Sequence, residues 1–105
     1  MPMYLYRTPS NPNGYNGMPD YELRMDDKFY RTATHPYGSS NNADYELGRD
    51  KKLYRTATHP NGFSGLPDYE IREENLLYRT LTHPYGPHDL PDYELREEMM
   101  SPMFR

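Results

Sequence analysis

A 24-residue period runs through this chain without insertion or deletion, and it limits the folds open to the chain more than its composition does. Tyr-Arg-Thr opens at Tyr6, Tyr30, Tyr54 and Tyr78, and Asp-Tyr-Glu opens at Asp20, Asp44, Asp68 and Asp92, each in steps of 24. Four units, 5–28, 29–52, 53–76 and 77–100, leave only a leader, 1–4, and a tail, 101–105. Fixed spacing of this kind marks a repeat architecture, in which each copy is one structural unit. Comparing the copies separates fixed from free positions. All four share both triplets and a Pro-x-Gly pair (Pro12/Gly14, Pro36/Gly38, Pro60/Gly62, Pro84/Gly86). An apolar residue precedes Tyr-Arg-Thr (Leu5, Phe29, Leu53, Leu77), and another follows Asp-Tyr-Glu (Leu23, Leu47, Ile71, Leu95). The stretch between Gly and Asp varies most and reads as a loop.

Within a unit, His-Pro-Tyr-Gly or His-Pro-Asn-Gly fits a type I turn, with Pro fixing φ at the second position and Gly at the fourth. The first unit carries Asn11-Pro12-Asn13-Gly14 there. Tyr-Arg-Thr-Ala-Thr and Asp-Tyr-Glu-Leu-Arg are short and rich in Tyr and Thr, as strands or extended segments flanking a turn would be. Pro67 and Pro91, each followed by Asp and Glu, are competing helix starts, with a helix from Pro91 to about Met100 as the clearest case. Extended structure is preferred because no apolar stripe of helical period runs through Arg72 to Leu77.

Composition argues against an ordinary core. Hydrophobic residues make up 34% of the chain even with 12 tyrosines counted among them, and there is no Val, no Trp and a single Ile, Ile71. Burial returns about 25 cal/mol per Å² of apolar area, against roughly 1–2 kcal/mol of backbone entropy per residue. With so few aliphatics and 11 prolines, self-contained folding looks marginal. The expected fold is a mostly irregular, extended repeat chain with turns, short β segments and occasional short helices, and no conventional globular core.

Several functions are set aside on the same grounds. The net charge of −4 is spread along the chain, so nucleic acid is not an expected partner. The chain has no cysteine, which excludes disulfides and thiolate metal sites. No stretch approaches a membrane span and the N-terminus lacks a signal-peptide pattern, so a soluble, cytoplasmic protein is expected. His35, His59 and His83 share one repeat position and His88 is extra, but three evenly spaced copies are a poor pattern for one metal or acid–base site. The serines lie in Gly- and Asn-rich loops without a nucleophile elbow, and no phosphate-cradling loop is present. No enzyme activity, catalytic residue, metal or cofactor is expected.

A regular period serves either self-stacking or matching to a periodic partner. Stacking needs a ladder of inward aliphatics, and the two dependable apolar positions per unit favour matching. In period and composition, across Leu5 to Met100, the chain resembles the short Tyr-, Pro-, Gly- and Asn-rich repeat proteins that line ciliary doublet microtubules. That resemblance implies a tubulin lattice as partner and a place in the cytoskeleton, in the cilium axoneme. An extended unit reaches at most about 80 Å, comparable to a tubulin heterodimer. Tyr6, Tyr30, Tyr54 and Tyr78, with Tyr21, Tyr45, Tyr69 and Tyr93, would then be anchors, and Arg7, Arg31, Arg55 and Arg79 would pair with acidic groups on the partner. The competing assignment keeps the arginines on Asp20, Glu22 and their equivalents, and packs the tyrosines on each other across strands. Two other functional classes stand beside the filament binder. One is a compact Tyr-rich β-repeat binding module, for example for carbohydrate, with tyrosines converging on four equivalent pockets. The other is an extracellular Tyr-rich adhesive or matrix protein.

Overall fold

Each unit supplies two strands, and its turn chemistry decides where they bend. The computed structural model describes residues 3–97. The strands are β1 (Met3–Arg7), β2 (Pro19–Leu23), β3 (Lys28–Arg31), β4 (Ala43–Leu47), β5 (Lys52–Arg55), β6 (Pro67–Arg72), β7 (Leu76–Arg79) and β8 (Tyr93–Glu97). Every neighbouring pair is antiparallel, and β8 pairs with β1, so the sheet closes into an eight-stranded barrel. Within a unit the strands are joined by a long loop. Its Pro-Gly turn is closed by a bond from the Gly N–H to the carbonyl three residues back, at Gly14, Gly38, Gly62 and Gly86. Each of these glycines sits at φ near +80 to +87, where a side chain would be strained. Consecutive units are joined by short turns at the other end of the barrel, including a single 3-10 turn, Glu73–Asn75.

The core is built in layers of four, one residue from each unit. Leu5, Phe29, Leu53 and Leu77 are at most 1% exposed, and Leu23, Leu47, Ile71 and Leu95 pack against them. Above them, Tyr21, Tyr45, Tyr69 and Tyr93 make a closed ring of edge-to-face contacts with centroids 5.9, 6.0, 5.7 and 6.3 Å apart in cyclic order. Edge-to-face packing matches the positive ring edge to the negative face. Eight strands leave an interior just wide enough for side chains to fill.

The expected irregular, extended chain without a globular core is therefore corrected. The radius of gyration is 13.3 Å, against about 13 Å for a compact 100-residue domain and about 30 Å unfolded. Tyrosine supplies the apolar area that the aliphatics lack. The expected helix starts are strands instead: Pro67 opens β6, and Tyr93–Glu97 is β8, while 98–100 lie outside the described residues.

Adjacent inward residues are reconciled by bulges. Asp20 and Tyr21 are both buried, although strict alternation would send one outward. The register slips between Leu5 and Tyr6 opposite β2, so Tyr6 faces Pro19 and Asp20 is left over, turned inward. The same slip recurs opposite Asp44 and Asp68. Threonine then ties unit to unit: the hydroxyls of Thr32 and Thr34 both donate to the Pro19 carbonyl, those of Thr56 and Thr58 to Ala43, and those of Thr80 and Thr82 to Pro67. Thr8 and Ser10 reach Pro91 in the same way, closing first unit on last.

Candidate functional site

The loop end of the barrel carries a polar network that repeats with the chain. Nε of Arg7, Arg31, Arg55 and Arg79 donates to Oδ2 of Asp20, Asp44, Asp68 and Asp92 at 3.0, 2.9, 2.9 and 2.8 Å. The Tyr21, Tyr45 and Tyr69 hydroxyls donate to the same oxygen of the next unit's aspartate, Asp44, Asp68 and Asp92, at 3.1, 3.3 and 3.4 Å. Burial pushes the Tyr21, Tyr45, Tyr69 and Tyr93 phenols well above their usual range, so they stay neutral donors. Histidine completes the chain. Nδ1 of His35, His59 and His83 accepts the backbone N–H two residues on, which places the ring proton on Nε2. Nε2 of His35 and His83 lies 3.3 Å from the Tyr21 and Tyr69 hydroxyls. In the first unit Asn11 stands in: its Oδ1 accepts the Asn13 N–H at 2.9 Å, and its amide donates to the Asp92 carbonyl.

Two clefts open between the Pro-Gly turns at this end. One, of 520 Å³, lies between the last and first units and is lined by Tyr69, Arg79, Tyr85, Asp92, Asn11 and Asn13 among others. The other, of 410 Å³, lies between the first and second units and is lined by Tyr93, Arg7, Asn13, Asp20, His35 and Tyr37, with Pro36. Every residue lining the second has its repeat counterpart lining the first. Comparison with family models, with curated proteins and with solved structures finds no match. The site is therefore read from its own geometry.

That geometry places the residues singled out in the sequence in three settings. Tyr21, Tyr45, Tyr69 and Tyr93 form the interior ring, and Arg7, Arg31, Arg55 and Arg79 are held by buried aspartates, so these eight build the barrel and line its mouth rather than stand free on it. Tyr6, Tyr30, Tyr54 and Tyr78 belong to the wall. Arginine lies over three of them, Arg24 on Tyr30, Arg72 on Tyr78 and Arg96 on Tyr6, 4.0, 4.4 and 4.3 Å from the ring centroid. The aromatic residues that do project into solvent were not among those selected: Tyr15, Tyr37, Phe63 and Tyr85, one per unit, 56 to 83% exposed. Their signal was present in the turn, where Pro-Tyr-Gly in two units alternates with Pro-Asn-Gly-Tyr or Pro-Asn-Gly-Phe in the others.

Asp20 and Asp92, the aspartates of the two clefts, each keep Oδ1 buried without a hydrogen-bond partner. Among the described residues no group of three His, Asp or Glu side chains is placed to hold a metal ion. No helix among them is long and apolar enough to cross a membrane.

Proposed function

We propose that this chain is a compact, non-catalytic binding module whose loop end takes a carbohydrate in the clefts between consecutive units. The observation that carries the proposal is the recurrence of one cleft, position for position, at two junctions of the barrel. Because Asn13, Tyr37, Asn61 and Tyr85 alternate around the mouth, a junction between neighbouring turns always offers one tyrosine and one asparagine. A pyranose matches that pair: its C–H face packs on the exposed phenol, while its hydroxyl edge exchanges hydrogen bonds with the amide and the Asp–Arg pair behind it. Concave sites combining aromatic area with a few placed polar groups are the usual form of small-ligand pockets. The unpartnered Oδ1 of Asp20 and Asp92 supplies an acceptor that favours a ligand donating hydroxyl hydrogens.

Filament attachment loses its ruler in this fold, since copies arranged around a ring present no 24-residue step along a line. Microtubule binding would have to involve the folded module as a body, and no feature of the barrel favours it.

The test is titration with a panel of neutral di- and trisaccharides, followed by tyrosine fluorescence, which no tryptophan obscures. Binding should weaken about tenfold or more in Tyr37→Ala/Tyr85→Ala, on the order of the 2 kcal/mol of a hot-spot aromatic. Met25→Ala, on a fully exposed side chain at the opposite end, should leave it unchanged. Failure of every saccharide to bind, or equal binding by the two variants, would overturn the assignment.

A further inference from the structure

The outer wall holds a second kind of site, created by a single break in the repeat. In three units an arginine follows the conserved glutamate by two residues, pairs with it, and lies over the tyrosine of the adjoining strand. Arg24 bonds Glu22 at 3.3 Å and covers Tyr30; Arg72 bonds Glu70 at 2.9 Å and covers Tyr78; Arg96 lies 3.3 Å from Glu94 and covers Tyr6 across the barrel closure. The fourth equivalent position is Gly48. Glu46 and Tyr54 stand where the other glutamates and tyrosines stand, but the guanidinium between them is missing.

A cleft of 480 Å³ opens at that place. Its lining includes Glu46, Gly48, Tyr54 and Phe63, together with Asp26 and Asp27 from the neighbouring turn. Glu46 is exposed and makes no ion pair among the described residues. Two arginines also reach the cleft. Arg55 is engaged by Asp68 at 2.9 Å, and Arg49 makes no ion pair or ring contact among the described residues. Asp26 already accepts the Tyr30 hydroxyl and Lys28 stands opposite Glu46 in the strand register, so three carboxylates meet Arg49 and Lys28 and the cleft keeps a net negative charge.

We infer that the Gly48 cleft is a receptor for an arginine side chain presented by a partner protein. The partner's guanidinium occupies the position that Arg24, Arg72 and Arg96 fill in the other units, pairing with Glu46 over the Tyr54 ring. The stem and adjoining backbone lie against exposed Phe63. The three filled copies are the reason to name arginine rather than any cation, because a planar guanidinium both stacks on a ring and pairs sideways with a carboxylate. One such contact at an exposed surface is weak, so it would serve as one point of a larger interface.

The experiment is an NMR titration of the full chain with the peptide acetyl-Gly-Arg-Gly-amide, beside its lysine and citrulline counterparts. Amide shifts centred on Glu46, Gly48 and Tyr54 should saturate at about 1–10 mM for arginine and be smaller for lysine and absent for neutral citrulline. Gly48→Arg should abolish them by supplying the missing group internally. Its Cβ meets Asp50 Oδ1 at 2.6 Å and the Tyr54 ring at Cε1 at 2.9 Å, so that carboxylate and ring must shift. Glu46→Gln, which needs no rearrangement, should independently weaken the shifts several-fold. Shifts equal for citrulline, shifts spread evenly over Glu22, Glu70 and Glu94, persistence in Glu46→Gln, or no shift at all would each overturn the inference.

Discussion

Nδ1 of His35 accepts the Tyr37 N–H at 3.0 Å, so protonating the ring would break the turn it supports. Burial also opposes the charge, and it holds His35, His59 and His83 below the ordinary value of 6.5. Around His35 the nearby charges partly cancel, Asp20 and Asp44 favouring the cation and Arg31 and Arg7 opposing it. The consequence for stability has a definite sign. As the pH falls past 6.5 the unfolded chain takes up protons first, so stability is complete above that value and declines until the folded histidines titrate. Urea unfolding at a series of pH values should show this decline. The first unit already manages with Asn11, whose Oδ1 accepts the same turn N–H. Replacing His35, His59 and His83 together by Asn should flatten the curve just below 6.5 while keeping the fold; an unchanged slope would place its origin elsewhere.

At the level of the strand, the bulge before Tyr21, Tyr45 and Tyr69 is what turns a polar motif into a core. Asp68 is 2% exposed and accepts from both Arg55 and Tyr45, whereas Glu70, two residues on, pairs with Arg72 on the outer wall. Asp68→Ala takes the acceptor from the part-buried Arg55 guanidinium and from the Tyr45 hydroxyl, and should cost about 2–3 kcal/mol. Glu70→Ala should cost no more than about 1 kcal/mol. Urea midpoints at constant m-value check the contrast, and similar losses from the two would place both carboxylates in one environment. This bulge is also why the fold was only partly legible. Strands, turns and loops follow from Tyr/Thr-rich segments, the Pro-Gly pair and the variable stretch. Closure does not, because Asp20 beside Tyr21 reads as an amphipathic surface, and only the register slip sends both inward. Counting aliphatics alone then undervalued the core, since four of its members are tyrosines. The same blindness hid the mouth of the barrel: identical triplets drew attention to Arg7 and Tyr21, while the alternation of Asn13 and Tyr37, which shapes the clefts, lies at a variable position.

In the whole molecule, the period works around a circle. Each unit's threonines bond the preceding unit's carbonyl, each inner tyrosine except Tyr93 donates to the following unit's aspartate, and Thr8 and Ser10 on Pro91 join the ends. A unit alone buries little; four buried against one another complete the tyrosine ring and the aliphatic layer beneath it. Copies therefore stabilise each other, and the binding roles proposed above rest on positions where they differ, the cleft residues and Gly48. Closure within a single chain leads us to expect folding without a partner. The direct test is urea unfolding of the chain alone at two protein concentrations, followed by the near-ultraviolet circular dichroism of its tyrosines. We expect a strong folded-state signal lost in one cooperative step, with a midpoint unaffected by concentration. A flat near-ultraviolet spectrum, a gradual loss, or a midpoint that rises with concentration would contradict the closed barrel.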